Sequence, residues 1–302
     1  MLSSWNLQAN SKKYRTGNRS DAIIIPSPVI NYVRPDLYVG KGAFAGPADI
    51  WNPKKGFLVQ SIDFESIHPE SYSLNFPTTG GHNLYFDLLI TGIDVRDLTW
   101  EPVTHEGITA TVTNVVANDV WIPSGNVGQV VARVKLTGPE ARSQWKNPSP
   151  SQIAKPRLPQ TFELVGRDRD GVEVVKYGFV LRQWFVNRGG QLETYSDHLA
   201  WCNSLGYRMP RVRDLTNAVR KVNPSISGAA PSSSDNNYMR HIGAGFFAEW
   251  GETLYYTGAG FDSSSHWTSD ATGSDQFYIR ASNGDIYSVY PNFWLSVLCT
   301  AP

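Results

Sequence analysis

The sequence predicts a mainly β chain with a smaller α+β part at its C-terminal end. Three observations carry this. Short runs between residues 35 and 137 alternate apolar and polar side chains, the period of half-buried strands. The 302 residues include 26 glycines and 19 prolines, which favours many turns over long helices. After Gly190 the apolar period changes to three and four, the spacing of helices.

Length and charge set the bounds. The chain is long enough to bury a core and fits one or two domains. Lys and Arg number 27, as do Asp and Glu, so no general attraction to nucleic acid or to an anionic membrane is expected. No stretch approaches the roughly 18 apolar residues of a membrane span, so no direct membrane insertion is expected. The opening "MLSSWNLQANSKKYRTGNRS" is polar and basic and lacks the apolar core of a secretory signal. It reads as a solvated arm, and residues 1–34 are assigned to a disordered or extended N-terminal segment.

The first β region follows. "ITATV" (Ile108, Ala110, Val112) and "VVARVKL" (Val130, Ala132, Val134, Leu136) alternate. "LYFDLLI", residues 84–90, is almost continuously apolar and suits a central strand. Gly-, Pro- and Asn-rich punctuation separates these runs, the pattern of a sandwich. Residues 138–160 hold five prolines and cannot be a central strand; they are expected to cross between sheets. Asp170-Gly171 then lies between two β-rich runs and predicts a tight hairpin turn. The letters Asp168-x-Asp170-Gly171 also match the start of a calcium loop, but its later ligands and closing Glu are missing.

Thr194-x-x-Asp197 is a helix N-capping pattern. Leu199, Cys202 and Leu205 continue at helical spacing, and Gly206 can end the helix. A second helix is expected from Pro210 through Val212, Leu215, Val219 and Val222, stopped by Asn223-Pro224. Short β runs between Gly- and Ser-rich loops complete the chain. Two cysteines leave two readings open, buried thiols or one disulfide; no CxxC or HxxxH pair supports zinc.

Residues 184–302 resemble a C-type-lectin-like domain, through "AWCNSLGYRMPRVRDLTNA", "HWTSD" and "FYIRASNGDIYSV…LSVLC". From about residue 45 onward the chain resembles the C-terminal adhesin region of enterobacterial invasin- and intimin-like surface proteins. The runs "DIWNPKKGFLVQS", "LPQTFELVGRDRDG", "KYGFVLRQWFVNRG" and "RHIGAGFFAEWG" carry that resemblance. It implies an immunoglobulin-like β-sandwich over residues 35–183 and a lectin-like domain over 184–302. It implies a disulfide between Cys202 and Cys299, joining the first helix to the last strand. It also implies an extracellular or bacterial cell-surface location and contact with a host-cell surface protein or glycan. Full-length relatives carry a signal sequence, a membrane barrel and repeated immunoglobulin-like domains. No signal peptide or membrane anchor is expected in this chain, so it reads as an excised tip or a stand-alone homologue.

The chemistry of calcium-dependent sugar binding is missing. Glu-Pro-Asn, Gln-Pro-Asp and Trp-Asn-Asp do not occur, and "YPNFW" keeps Pro291-Asn292 without the carboxylate. No cofactor and no metal are expected. His266 and Asp270, four apart in a strand, lie about 13 Å apart and cannot share an ion without a bend. The lectin-like superfold also hosts cysteine oxidation, but that needs further reactive thiols. No G-x-S-x-G, H-E-x-x-H or phosphate loop occurs. Glu249, Glu252 and Asp262 offer a carboxylate pair for glycoside cleavage, the third-ranked reading.

What remains is surface recognition by aromatic loops. Tyr290, Asn292, Phe293 and Trp294 are expected at the surface because Pro291-Asn292 marks a turn. Phe261, Asp262 and Tyr255, beside a Gly- and Ser-rich loop, complete the expected ligand-binding set. The leading expectation is a non-enzymatic, adhesin-like recognition module. The alternative is a secreted or particle-borne receptor-binding protein, such as a toxin targeting subunit or a phage-like tail tip.

Overall fold

The structure, a computed structural model, describes residues 27–63, 66–262 and 265–301. Along the chain come β1 (Val29–Arg34), β2 (Trp51–Asn52), β3 (Gly56–Leu58), β4 (Ile62–Asp63), β5 (Ser66–Ile67), β6 (Thr79–Gly81) and β7 (Tyr85–Thr91). They are followed by β8 (Thr99–Trp100), β9 (Val103–His105), β10 (Ile108–Val116), β11 (Val130–Thr137), β12 (Gln160–Arg167), β13 (Glu173–Leu181) and β14 (Gln183–Asn187). The C-terminal part holds α1 (Tyr195–Ser204), α2 (Val212–Leu215), β15 (Val219–Arg220), β16 (Ile226–Ser227), α3 (Phe246–Trp250), β17 (Ser265–Thr272), β18 (Asp275–Arg280), β19 (Ile286–Val289) and β20 (Leu298–Ala301).

One sheet runs β2-β3-β1-β7-β11-β10-β9 and faces a second, β13-β12-β8. The alternation works as expected: Ala132, Val134 and Leu136 are fully buried, while Lys135 between them is exposed. The apolar run at 84–90 is indeed central, since β7 lies between β1 and β11. Phe86 meets Phe179 of the opposite sheet at 6.1 Å, and Phe179 stacks on Phe162 at 5.2 Å. The mainly β fold with a smaller α+β part is therefore present.

Residues 1–26 of the expected arm lie outside the described residues. Its last part corrects the expectation: β1 is an interior strand, paired with β3 and β7. The arm forecast failed there because "VINYVR" shows its pattern only through partners some 25 and 55 residues away. The Asp168–Gly171 turn is the hairpin between β12 and β13. The Asp168 carboxylate accepts from the backbone N–H of Asp170 (3.0 Å) and of Val172 (2.9 Å), and Gly171 takes φ +80°. Residues 138–160 run from β11 in one sheet to β12 in the other. On the way they lie against the α+β part, where Ile153 N–H donates to Leu205 O (3.2 Å) and Tyr207 Oη to Ala154 O (2.7 Å).

Helix α1 starts as its sequence requires, with Thr194 Oγ1 accepting from Asp197 N–H. It ends in a Schellman motif: Tyr207 N–H reaches Cys202 O, Gly206 N–H reaches Asn203 O, and Gly206 takes φ +84°. The second helix is far shorter than expected and stops at Leu215. Thr216 is already extended, and the Asn217 side chain bonds backbone groups of Met239 and Pro231. Those long-range bonds draw the chain into β15, leaving Val222 two-thirds exposed (66%) instead of on a buried helix face.

The two parts are stitched together. β6, from the first half, pairs in parallel with β14, which pairs with β20 at the other end of the chain. Trp250 Nε1 donates to Thr79 O at 3.0 Å. Arg240, fully buried, lies 4.3 Å over the Trp51 ring and donates to Glu249 O at 2.7 Å.

Candidate functional site

Tyr290 to Trp294 form five consecutive exposed residues between β19 and β20. Tyr290 is 65%, Phe293 56% and Trp294 63% exposed. Proline at the second position fixes φ, and Phe293 N–H donates to Tyr290 O at 3.0 Å, which closes a β-turn over Pro291-Asn292. The loop cannot sink into the core because both of its ends are tied. Pro291 O accepts from Tyr195 N–H (2.9 Å) at the start of α1. Leu295 exchanges two backbone bonds with Glu193, at 3.0 and 3.1 Å, and Ser296 bridges to β17.

Beneath the loop lies His198, fully buried on α1. One ring nitrogen faces Leu295 O at 2.8 Å and the other faces Arg188 Nη1 at 3.2 Å. Burial, with Arg188 nearby, lowers its pKa to about 4, so at neutral pH the ring is uncharged. The neutral ring donates to the carbonyl through Nε2 and accepts from Arg188 through Nδ1. The disulfide Cys202–Cys299 lies below, with Cα atoms 5.4 Å apart, and ties α1 to β20.

The structure separates the rest of the expected set from this loop. Phe261 is a core residue, 6% exposed, with its ring 5.5 Å from that of Phe246; it is not available to a ligand. Gly81 of β6 makes room for it, a neighbour no local pattern could reveal. Asp262 is half-buried and accepts from Ser296 Oγ at 3.0 Å, beside His266 Nε2 at 3.6 Å, so it braces the foot of the loop. Tyr255 packs on Tyr38 of the first half at 4.8 Å. Asp270 accepts from Val212 N–H (2.6 Å) at the start of α2, away from any pairing with His266.

Of the carboxylates read as a possible acid pair, Glu249 has structural work instead. Glu249 is fully buried and accepts from Thr78 and Thr79, through both backbone N–H and hydroxyl groups, and from Gly243 N–H. It clamps α3 to β6. Glu252 is 6% exposed; burial and neighbouring Asp36 raise its pKa to about 7. Burial raises Asp36 to about 6, although Arg240 and the N–H groups of Tyr38 and Glu252 oppose the shift. Sequence reading missed Asp36 and Arg240, since nothing local marks either. No group of three or more His, Cys, Asp or Glu side chains among the described residues could hold a metal ion. No helix among them is long and apolar enough to cross a membrane.

No family model matches the chain. Over 139 residues, 41% of the chain, it is 28% identical to the inverse autotransporter adhesin YeeJ of Escherichia coli (strain K12), of which this is 5%. The fold is similar to that of invasin, a bacterial integrin-binding protein, with a TM-score of 0.51 and 13% identity over 91% of this chain and 39% of that one. A C-terminal 282-residue fragment of intimin, solved with the intimin-binding domain of the translocated intimin receptor, aligns at a TM-score of 0.46 and 10% identity, over 91% of this chain and 66% of the fragment. The chain spans only a small part of the adhesin and well under half of invasin.

Proposed function

We propose that this chain, a relative of the C-terminal adhesin region of invasin- and intimin-like surface proteins, is a non-enzymatic recognition module. In this reading it is displayed at a bacterial surface and binds a protein on a host cell. The observation that carries this is the clamped turn Tyr290–Trp294, which presents three aromatic side chains to solvent. Exposed rings held by a rigid backbone give large contact area with little ordering cost on binding. The similarity in fold to invasin, an integrin-binding protein, supports a protein partner. The burial of Glu249 and Glu252 argues against paired-acid chemistry. The test is attachment of cultured epithelial cells to surfaces coated with the purified chain. Dose-dependent attachment, blocked by soluble chain and abolished by protease treatment of the cells, supports the reading. Attachment that survives protease treatment overturns the protein partner, and no attachment overturns the adhesive role.

A further inference from the structure

We infer that the outer face of the seven-stranded sheet holds a second ligand site, for a carboxylate-bearing sugar. A cleft of about 290 Å³ crosses that face. Its size sits near the lower end of the range for small-ligand sites. Tyr32 and Leu89, partners across β1 and β7, form its floor together with Val131 of β11. The turn carrying Lys54 and Lys55, between β2 and β3, makes one wall. Asn126 and Gln129, just before β11, make the other.

Charge decides the class of ligand. No carboxylate is among the described residues that line the cleft. Arg34 lines it too, is 2% exposed, and its Nε has no hydrogen-bond partner. Its Nη2 meets Asp87 at 3.1 Å, and Asp87 also takes Arg133, which in turn reaches Asp119. That row is neutral as a whole, so the surplus charge of the cleft is Lys54 and Lys55. Both are exposed, and the Lys55 ammonium lies 4.8 Å from the centre of the Tyr32 ring, with no ion pair to an acid among the described residues. The cleft therefore pairs two surplus cations with amides on the facing wall and an aromatic and aliphatic floor. An acidic sugar matches each part: its carboxylate the ammonium groups, its hydroxyls the amides, its C–H face the floor.

A peptide is disfavoured by topology. Strand addition needs an open sheet edge, and β1, β7 and β11 are all interior strands with neighbours on both sides. Residues 1–26 of this chain do not suit the cleft either, since they hold four basic residues and one acid.

The test is a titration of the isotope-labelled full chain with 3′-sialyllactose, with lactose as the neutral control, followed residue by residue by NMR. The expected result is saturable shifts at Tyr32, Lys55 and Gln129 with the sialylated sugar only, and none at Phe293 or Trp294. Lys54→Glu with Lys55→Glu, both at exposed positions, should weaken binding at least tenfold, and Gln129→Ala should weaken it severalfold. Three results would each overturn the site: no shifts, equal shifts with lactose, or shifts confined to the 290–294 turn. Tighter binding of a short poly-glutamate peptide in the same cleft would overturn the sugar in favour of an acidic peptide. Failure here leaves the aromatic turn untouched, because cell attachment through that turn is read separately.

Discussion

Replacing Phe293 and Trp294 together by Ala removes two of the three exposed rings of the turn. Aromatic side chains bury about 200 Å² each when fully covered. At 56% and 63% exposure, each ring retains roughly 120 Å² to offer a partner. At about 25 cal/mol per Å² this is about 3 kcal/mol per ring before the costs of association. Those costs, and incomplete coverage, bring the expected loss for the pair to at least about 2 kcal/mol, or more than twentyfold in Kd. The same exposure predicts that folding stability changes by about 0.5 kcal/mol or less per site. The assay is cell attachment and, once the receptor is in hand, direct titration, with thermal melting run on the same samples. Chelation should change neither result. A double variant that binds as well as the parent refutes the assignment of the turn. A double variant that unfolds refutes the claim that these rings lie outside the core.

Removing the disulfide by Cys202→Ser and Cys299→Ser frees a closure spanning 97 residues and should cost about 4 kcal/mol, read as a large fall in the denaturation midpoint. A midpoint within error of the parent would contradict this, and intact mass should show no free thiol in the untreated chain. Glu249→Ala strands several buried donors of Thr78, Thr79 and Gly243 and should cost at least about 3 kcal/mol; a fold-neutral variant would contradict the clamp. For pH, Asp36 and Glu252 are raised to about 6 and about 7, so the folded state holds their protons more tightly than the unfolded chain. Their contribution is complete below about pH 4 and is lost as pH rises through 6 to 7. His198, lowered to about 4, acts in the opposite sense, with stability present above about 6.5 and lost as pH falls towards 4. Melting between pH 6.5 and 8 therefore reports the acid pair. The parent should lose stability across that window, and Glu252→Gln should flatten the loss by somewhat under about 1 kcal/mol. A parent profile that is flat from 6.5 to 8 would rule the effect out.

What could be read from the letters was what local physics decides. The alternation in β11 needs only the sheet's two-residue period. The Asp168–Gly171 hairpin needs one side-chain acceptor and one positive φ, and α1 needs a cap at Thr194 and a glycine at 206. The turn at Pro291-Asn292 is legible for the same reason. What could not be read depends on partners far along the chain. Glu249 meets Thr78 and Thr79 across 171 and 170 residues, so in sequence it is an acid without a context. Asn217 ends α2 through Met239 and Pro231, against a helical spacing that continues to Val222. Phe261 is buried by a glycine 180 positions earlier, although its own neighbours look like a surface loop.

The framework around the aromatic turn also supports its proposed role as a contact surface. Exposed rings tend to fold back onto apolar surface, because covering them removes area from water. A flexible loop would satisfy that tendency. This one is held at Pro291, Leu295 and Ser296 by backbone bonds to Tyr195, Glu193 and Ser265. Those anchors are themselves fixed by the capped start of α1 and by the disulfide from α1 to β20. The bracing reaches the sandwich through β14, which pairs with both β20 and β6. Exposure of the rings is thus an imposed property of the framework. In the proposed reading another molecule completes their burial, and a partner that covers them pays little to order the loop.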